Sequence, residues 1–181
     1  MWLVTLLATV VLVDFASGLV HWVEDTFWEE STPVFGSWMV TPNVVHHQDA
    51  TAFVTKSWFE SSWDLLAIGA LVALSASWLD ELKWPVWVFI VFGVNANQIH
   101  KWSHTPNFRL PVPVRILQGL WLLQGSKHHA HHHRGDKNSA YCLITPFLNP
   151  ILDALGFWRA LERATIPIFG APRRIDIADG T

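Results

Sequence analysis

The stretch WLVTLLATVVLVDFASGLVHWVED, residues 2–25, begins as an apolar run and closes on a histidine and two acids. Residues 2–20 carry a single charged group, Asp14, and are long enough to cross a bilayer as a helix. No basic stretch precedes them and no small-residue cleavage pattern follows before His21, so they read as a retained membrane helix rather than a secretory leader. On that helix Asp14, Ser17, His21 and Asp25 are spaced three, four and four, which places them on one face. Ionisable groups at membrane depth are costly and usually face a functional interior. His21 is therefore a candidate metal ligand. Asp25, one turn on, either binds metal or holds a ligand imidazole by its second nitrogen. Asp14 is expected to be a buried partner, to Asn95, Asn97 or Gln98, or else a helix-packing hydrogen bond.

The remainder of the chain is similarly oily: 51% of its 181 residues are apolar and 15% charged, more apolar than a soluble domain of this size needs. Among twelve tryptophans, Trp63, Trp78, Trp84 and Trp87 lie near the ends of apolar runs, where indoles collect at the lipid–water boundary. Residues 63–79 would span about 26 Å as a helix. Residues 84–94 begin another after the polar link 80–83, and the two should form a hairpin. Residues 112–123 follow Pro106 and Pro111, include Pro113, and are too short to cross comfortably, so an interfacial or re-entrant helix is expected. The predicted fold is an all-α integral membrane bundle of three to four membrane helices, residues 1–165, with a frayed tail at 166–181. A net charge of −3 without a basic stripe argues against nucleic acid, and the lone Cys142 excludes an internal disulfide and a thiolate-held metal.

Ten histidines stand beside or just beyond the apolar runs. His100 and His104 in HKWSH are four apart, and HHAHHH repeats that spacing in His128 with His132 and His129 with His133, so each pair shares a helix face. The doublet His46-His47 adds two more. His131 falls between the pairs and is read as solvent-facing or supporting rather than ligating. If the first helix runs inward and the hairpin returns, His21, His100 and His104 meet on one membrane face. A non-spanning 112–123 keeps residues 128–133 there too. Lys101, Arg109, Arg115, Lys127, Arg134 and Lys137 share that side, which the positive-inside bias makes cytoplasmic. A structural zinc needs only four ligands and zinc does no redox chemistry, whereas nine or ten imidazoles match two five- or six-coordinate ions. Two irons activating O2 against a lipid C–H bond are the reading.

The ordered motifs SGLVHWVED, VVHHQ, NQIHKWSH, HHAHHH and YCLITPFLN followed by LDALGFWRALE resemble the plasmanylethanolamine desaturase family, from Asp14 to Glu162. Similar motifs mark the plant chloroplast desaturase that acts on phosphatidylglycerol. The resemblance implies an O2-dependent desaturase that forms the vinyl ether of plasmalogens, with metal ligands His21, His46, His47, His100, His104, His128, His129, His132 and His133 and Asp25 as an acidic companion. No further catalytic residue is implied. His131 is extra to the family pattern, and Thr145-Pro146-Phe147 stands where a Thr-Gly-Trp-like sequence is usual. The chain has no flavin or dinucleotide fingerprint, so an external cytochrome b5-like or ferredoxin-like donor is implied.

A lipid substrate must enter sideways, through an apolar groove between the hairpin and the first helix. Phe15, Trp22, Phe92 and Trp121 are candidate walls, and Lys101, Arg109 and Arg115 candidate partners for the lipid phosphate. Competing readings are an acyl desaturase or hydroxylase on the same scaffold, and a non-enzymatic membrane metal carrier. Histidines gathered on one face disfavour the carrier.

Overall fold

The computed structural model describes residues 1–134 and 138–172, and among them the regular structure is entirely helical. Helix α1, Trp2–Thr26, is the first apolar run extended through the histidine and the two acids. Helix α4, Trp58–Trp78, begins five residues before the apolar run read from the sequence. The cause is a capping box: Ser57 Oγ accepts from the Glu60 amide, and the Glu60 carboxylate accepts from the Ser57 amide. Helix α5, Trp84–Val94, starts with Pro85 in its first turn, where the missing N–H costs nothing, and packs against both α1 and α4. Trp2 stacks on Trp84 with ring centroids 4.8 Å apart, so the start of α1 and the 80–83 turn lie at the same end of the bundle. The histidines lie at the other.

Helices α1 and α4 are long and apolar enough to cross a membrane. Only 22% and 17% of their most apolar windows are buried, so they are not the core helices of a soluble domain; Leu3, Leu7, Leu12, Leu71 and Leu74 point outward.

Short helices close the histidine end. Helices α2, Thr41–Gln48, and α3, Ala50–Val54, follow a π-helical turn at Gly36–Val40. Helix α6, Ala96–His104, continues α5 after a break at Asn95, whose amide donates to Val91 O and whose oxygen accepts from Trp58 Nε1. Helix α7, Val112–Gly119, is short. Helix α8, Ser126–His132, follows, and then a non-helical strap, residues 138–145, runs to α9, Leu148–Ala154, and α10, Phe157–Phe169.

The strap explains half of the α1 polar stripe. Asp14 is fully buried and accepts from the Ile144 amide and from the amide and hydroxyl of Thr145. Its expected partners lie elsewhere: Asn97, for one, donates to Ser61 O. Ser17 Oγ accepts from the Leu143 amide. A segment without helix or sheet has no ladder for its N–H groups, and a polar stripe on the neighbouring helix supplies the acceptors. Behind the strap, Trp22, Tyr141, Cys142, Leu152 and Trp158 form one core, while Val13, Ala96, Ile99, Leu123 and Ile144 form another beside α6.

Helix α10 continues through residues 166–169, which the sequence reading placed in the tail. The helix passes through Pro167 and stops at Gly170, whose φ of 83° suits a residue without a Cβ. Residues 173–181 and Lys137 lie outside the described residues.

Candidate metal centre

Four elements deliver the ligands. Helix α1 contributes His21 and Asp25; α2 contributes His46 and His47; α6 contributes His100 and His104. His129 and His132 lie on α8, with His133 at its C-terminal cap. They sort into two groups, His46, His100, His104, His129 and His133 in one and His21, Asp25, His47 and His132 in the other. In each group the ligating atoms all lie within 4.8 Å of one another. With metal–nitrogen bonds of about 2.1 Å, ligands trans across an ion stand about 4.2 Å apart, so both groups match the span of one coordination sphere. The groups adjoin: the His21 ring lies 4.4 Å from His132 in its own group and 5.5 Å from His100 in the other.

The hydrogen bonding fits cations. His100 Nε2 stands 2.7 Å from His129 Nε2 and 3.3 Å from His104 Nε2, and His133 Nε2 stands 3.0 Å from His129 Nε2. A neutral imidazole carries one N–H, which cannot satisfy several facing lone pairs at once. On the outer side, His21 Nδ1 donates to Tyr141 O at 3.1 Å and His132 Nδ1 to Ser139 O at 2.9 Å. A carbonyl only accepts, so these bonds fix the proton on Nδ1 and turn the Nε2 lone pair inward. Asn43 donates to Asp25, whose Oδ2 lies 3.2 Å from His132 Nε2 and 3.5 Å from His21 Nε2. His21 Nε2, both His46 nitrogens and Asp25 Oδ2 are buried without a hydrogen-bond partner among the described residues. Imidazole nitrogens plus one carboxylate suit iron, and also zinc or manganese, without thiolate.

Burial disfavours the charged form of the imidazoles. It pushes His46 and His129 well below the ordinary histidine range and His133 down to about 2, and neighbouring imidazoles add to the effect. Unprotonated imidazoles of this kind need lose no proton before taking a metal at neutral pH. In the metal-free protein their folded pKa values lie below the unfolded value near 6.5. Their contribution to stability is therefore complete above pH 6.5 and falls as the pH drops from there toward 2. We expect the stability of metal-free protein to fall steadily between pH 6.5 and 4, by up to about 1.4 kcal/mol per pH unit for each such histidine, and its thermal midpoint to fall with it. A midpoint unchanged from pH 7 to pH 4.5 would show that the imidazoles are solvated.

A cavity between α1 and the α4–α5 hairpin ends on the ligands, touching His21 of one group and His46 and His100 of the other. Its walls are not the expected aromatics. Trp22 belongs to the core behind the strap with Phe15 packed against it, Phe92 packs on the second core, and Trp121 lines a separate cavity. The lining is instead Val20, Phe53, Trp63, Ile68 and Phe89. Period-3.6 patterning does not tell which apolar residue faces a cavity and which a neighbour.

Of the ten expected ligands, His128 alone stands outside both groups. Its ring lies edge-on to Trp121 at 5.3 Å, and it lines that second cavity with the exposed His131. Helix α8 turns His129 and His132 inward, which carries their predecessors His128 and His131 outward. Lys101 is also displaced from its expected role. It is buried, and its ammonium donates to Lys56 O and Ser57 O, anchoring the start of α4. Arg109 lies over the Phe108 ring, and Arg115 lines the second cavity. Asn43, Ser139 and Tyr141 went unread, since two of them act through backbone carbonyls that any residue supplies.

The lipid desaturase domain model matches residues 10–176. The chain belongs to the lipid desaturase family. The chain is 35% identical to plasmanylethanolamine desaturase 1 of Mus musculus over 93% of its length and 66% of that protein. It is 34% identical to plasmanylethanolamine desaturase of Myxococcus xanthus over 91% of the chain and 60% of the relative. Chloroplastic fatty acid desaturase 4 of Arabidopsis thaliana is 31% identical over 84% of the chain and 48% of the plant protein. The chain thus spans roughly two thirds or less of the length of these relatives. No solved structure matches it significantly.

Proposed function

We propose that this chain is an integral membrane, O2-dependent desaturase in which the two ligand groups hold one iron each, and that it converts the alkyl ether chain of a plasmanylethanolamine-type lipid to a vinyl ether. The observation that carries the reading is the cavity that ends on both groups at once, because a lipid chain entering it comes to rest beside both candidate ions. The identities to two plasmanylethanolamine desaturases support the ether substrate.

Iron in such a site supplies the redox chemistry that turns O2 into an oxidant strong enough to break an alkyl C–H bond. Four electrons reduce O2 to two waters; two come from the paired C–H bonds of the chain and two from an external one-electron donor, cytochrome b5-like or ferredoxin-like. The chain's own residues do the rest. The buried imidazoles hold the ions as neutral ligands, the Tyr141 and Ser139 carbonyls fix the rings of His21 and His132, and the apolar lining keeps water from the reacting carbons. Helices α5 and α6 together make the third crossing, and α7 lies at the interface with Ile116 and Leu120 exposed. Lys101, Arg109, Arg115, Lys127 and Arg134 flank the histidine end, which makes that face cytoplasmic by the positive-inside bias.

The similarity to a chloroplastic fatty acid desaturase favours a second reading, an acyl desaturase on the same scaffold. One assay separates them. Expressed in cells that hold alkyl ether lipid and lack vinyl ether, the chain should yield acid-labile long-chain aldehydes. New acyl double bonds without aldehydes would replace the first reading by the second, and neither product would overturn both.

A further inference from the structure

The second cavity, of about 670 Å³, is bounded by α7, the start of α8 and Pro146 just after the strap. That is the size of a small-molecule site, roughly 300–1,000 Å³. It shares no lining residue with the cavity that ends on the ligands. Val13 and Ala96 line that cavity and Leu123 lines this one, and the three pack in one core that separates the two.

The charge of its lining is one-sided. Arg115 and Lys127 line it together with His128 and His131, and no carboxylate does. Acids outnumber lysine and arginine by 15 to 12 in the whole chain, so an acid-free lining runs against its composition. Among the described residues neither the Arg115 guanidinium nor the Lys127 ammonium has an ion pair or a hydrogen bond. The Gln118 amide is already used, donating to Gln124 O, whereas Asn107 and Ser126 offer further donors.

The rim is apolar. Val114 turns inward from α7, while Ile116, Leu117, Leu120, Trp121 and Leu122 are exposed. The end of α7 has the form that usually calls for glycine: the Trp121 amide donates to Gln118 O, the Leu122 amide donates to Leu117 O, and Trp121 takes a φ of 63°. A bulky residue rarely adopts that conformation, so ease of turning does not account for the tryptophan. Its indole stands at the cavity rim, edge-on to His128 with ring centroids 5.3 Å apart, and indoles favour the lipid–water boundary.

We propose that this cavity holds the headgroup of an anionic phospholipid that is not the substrate, with its phosphate on Arg115 and Lys127 and its chains along the exposed apolar residues of α7. The site goes beyond the desaturase reading and needs only the interfacial placement of α7. Two cations with no acid beside them select a net negative head. A phosphatidylglycerol-type phosphate meets both, whereas a zwitterionic head brings a further positive charge where no carboxylate receives it. The apolar rim points to a lipid rather than free phosphate. It also disfavours an acidic soluble protein, whose polar face would have to be desolvated against Leu120, Trp121 and Leu122. Bound there, the lipid ties α7 and the first turn of α8 to the membrane surface, leaving His129 and His132 to face the metal groups.

The test uses purified full-length protein carrying its metal, in detergent, given equal amounts of phosphatidylglycerol and phosphatidylcholine with identical chains, with retained lipids counted by native mass spectrometry. Wild type should retain phosphatidylglycerol over phosphatidylcholine by at least about tenfold. The double variant Arg115→Gln, Lys127→Gln should bring that ratio close to one with metal content unchanged. Equal retention by wild type, a result that needs no variant, overturns the site, and so does a double variant that keeps both its metal and the wild-type ratio. Two competitors separate the sources of negative charge. Inorganic phosphate in about tenfold excess over lipid should leave phosphatidylglycerol in place, and its displacement would make this a free-anion site. Polyglutamate should likewise fail to displace it; a peptide that binds wild type, releases the lipid and ignores the double variant would make the patch a protein-docking face and overturn the lipid site.

Discussion

Replacing His129 by alanine should abolish product formation and release most of the bound metal, while His128→Ala should change neither by more than about twofold. The two residues are sequence neighbours of the same type, yet α8 turns them in opposite directions. His129 is buried with its Nε2 2.7 Å from His100 Nε2 and 3.0 Å from His133 Nε2, so its removal takes away one lone pair of five and leaves a void where water can reach the metal. His128 touches Trp121 and a cavity that contains neither ligand group. Metal analysis of both purified variants, alongside turnover, checks the contrast. A His128→Ala protein as inactive and metal-poor as His129→Ala would mean that α8 is rotated from the orientation described above.

The second large effect is expected far from the ligands. Asp14→Ala removes the acceptor for two buried amides and one hydroxyl of the strap, each left unsatisfied at a cost of about 1–3 kcal/mol. We expect a loss of about 3 kcal/mol or more in stability, together with a metal affinity about tenfold to a hundredfold weaker, because the loosened strap carries the Tyr141 and Ser139 carbonyls that orient His21 and His132. Thermal unfolding and competition with a chelator measure the two effects. Unchanged affinity in a destabilised protein would separate strap from ligands and show that the carbonyl bonds do not position the imidazoles.

Much of this arrangement was legible in the chain. The spacing of His100 with His104 and of His129 with His133 announced shared helix faces, and the stripe Asp14, Ser17, His21 and Asp25 announced a polar seam on an oily helix. What the spacing could not give was direction. His128 and His132 are four apart and share a side of α8, yet His132 is fully buried and His128 is partly exposed, since a helix of only about two turns ends before its face is uniform. Asp14 was recognised as buried, but its partners are backbone amides 130 residues away, which no side-chain pattern announces. Lys101 was read as a charge on the cytoplasmic side and a candidate partner for the lipid phosphate. Its ammonium is instead spent on two carbonyls at the start of α4, because a long side chain can carry its charge to a partner that its position does not suggest.

The central claim is that nine side chains from four helical segments cage two redox-active ions. Elemental analysis of purified, active, full-length protein tests it most directly. Two irons per chain, with the iron content reduced both by His100→Ala in one group and by His132→Ala in the other, is the predicted result. Fully active protein holding a single zinc and no iron would contradict it.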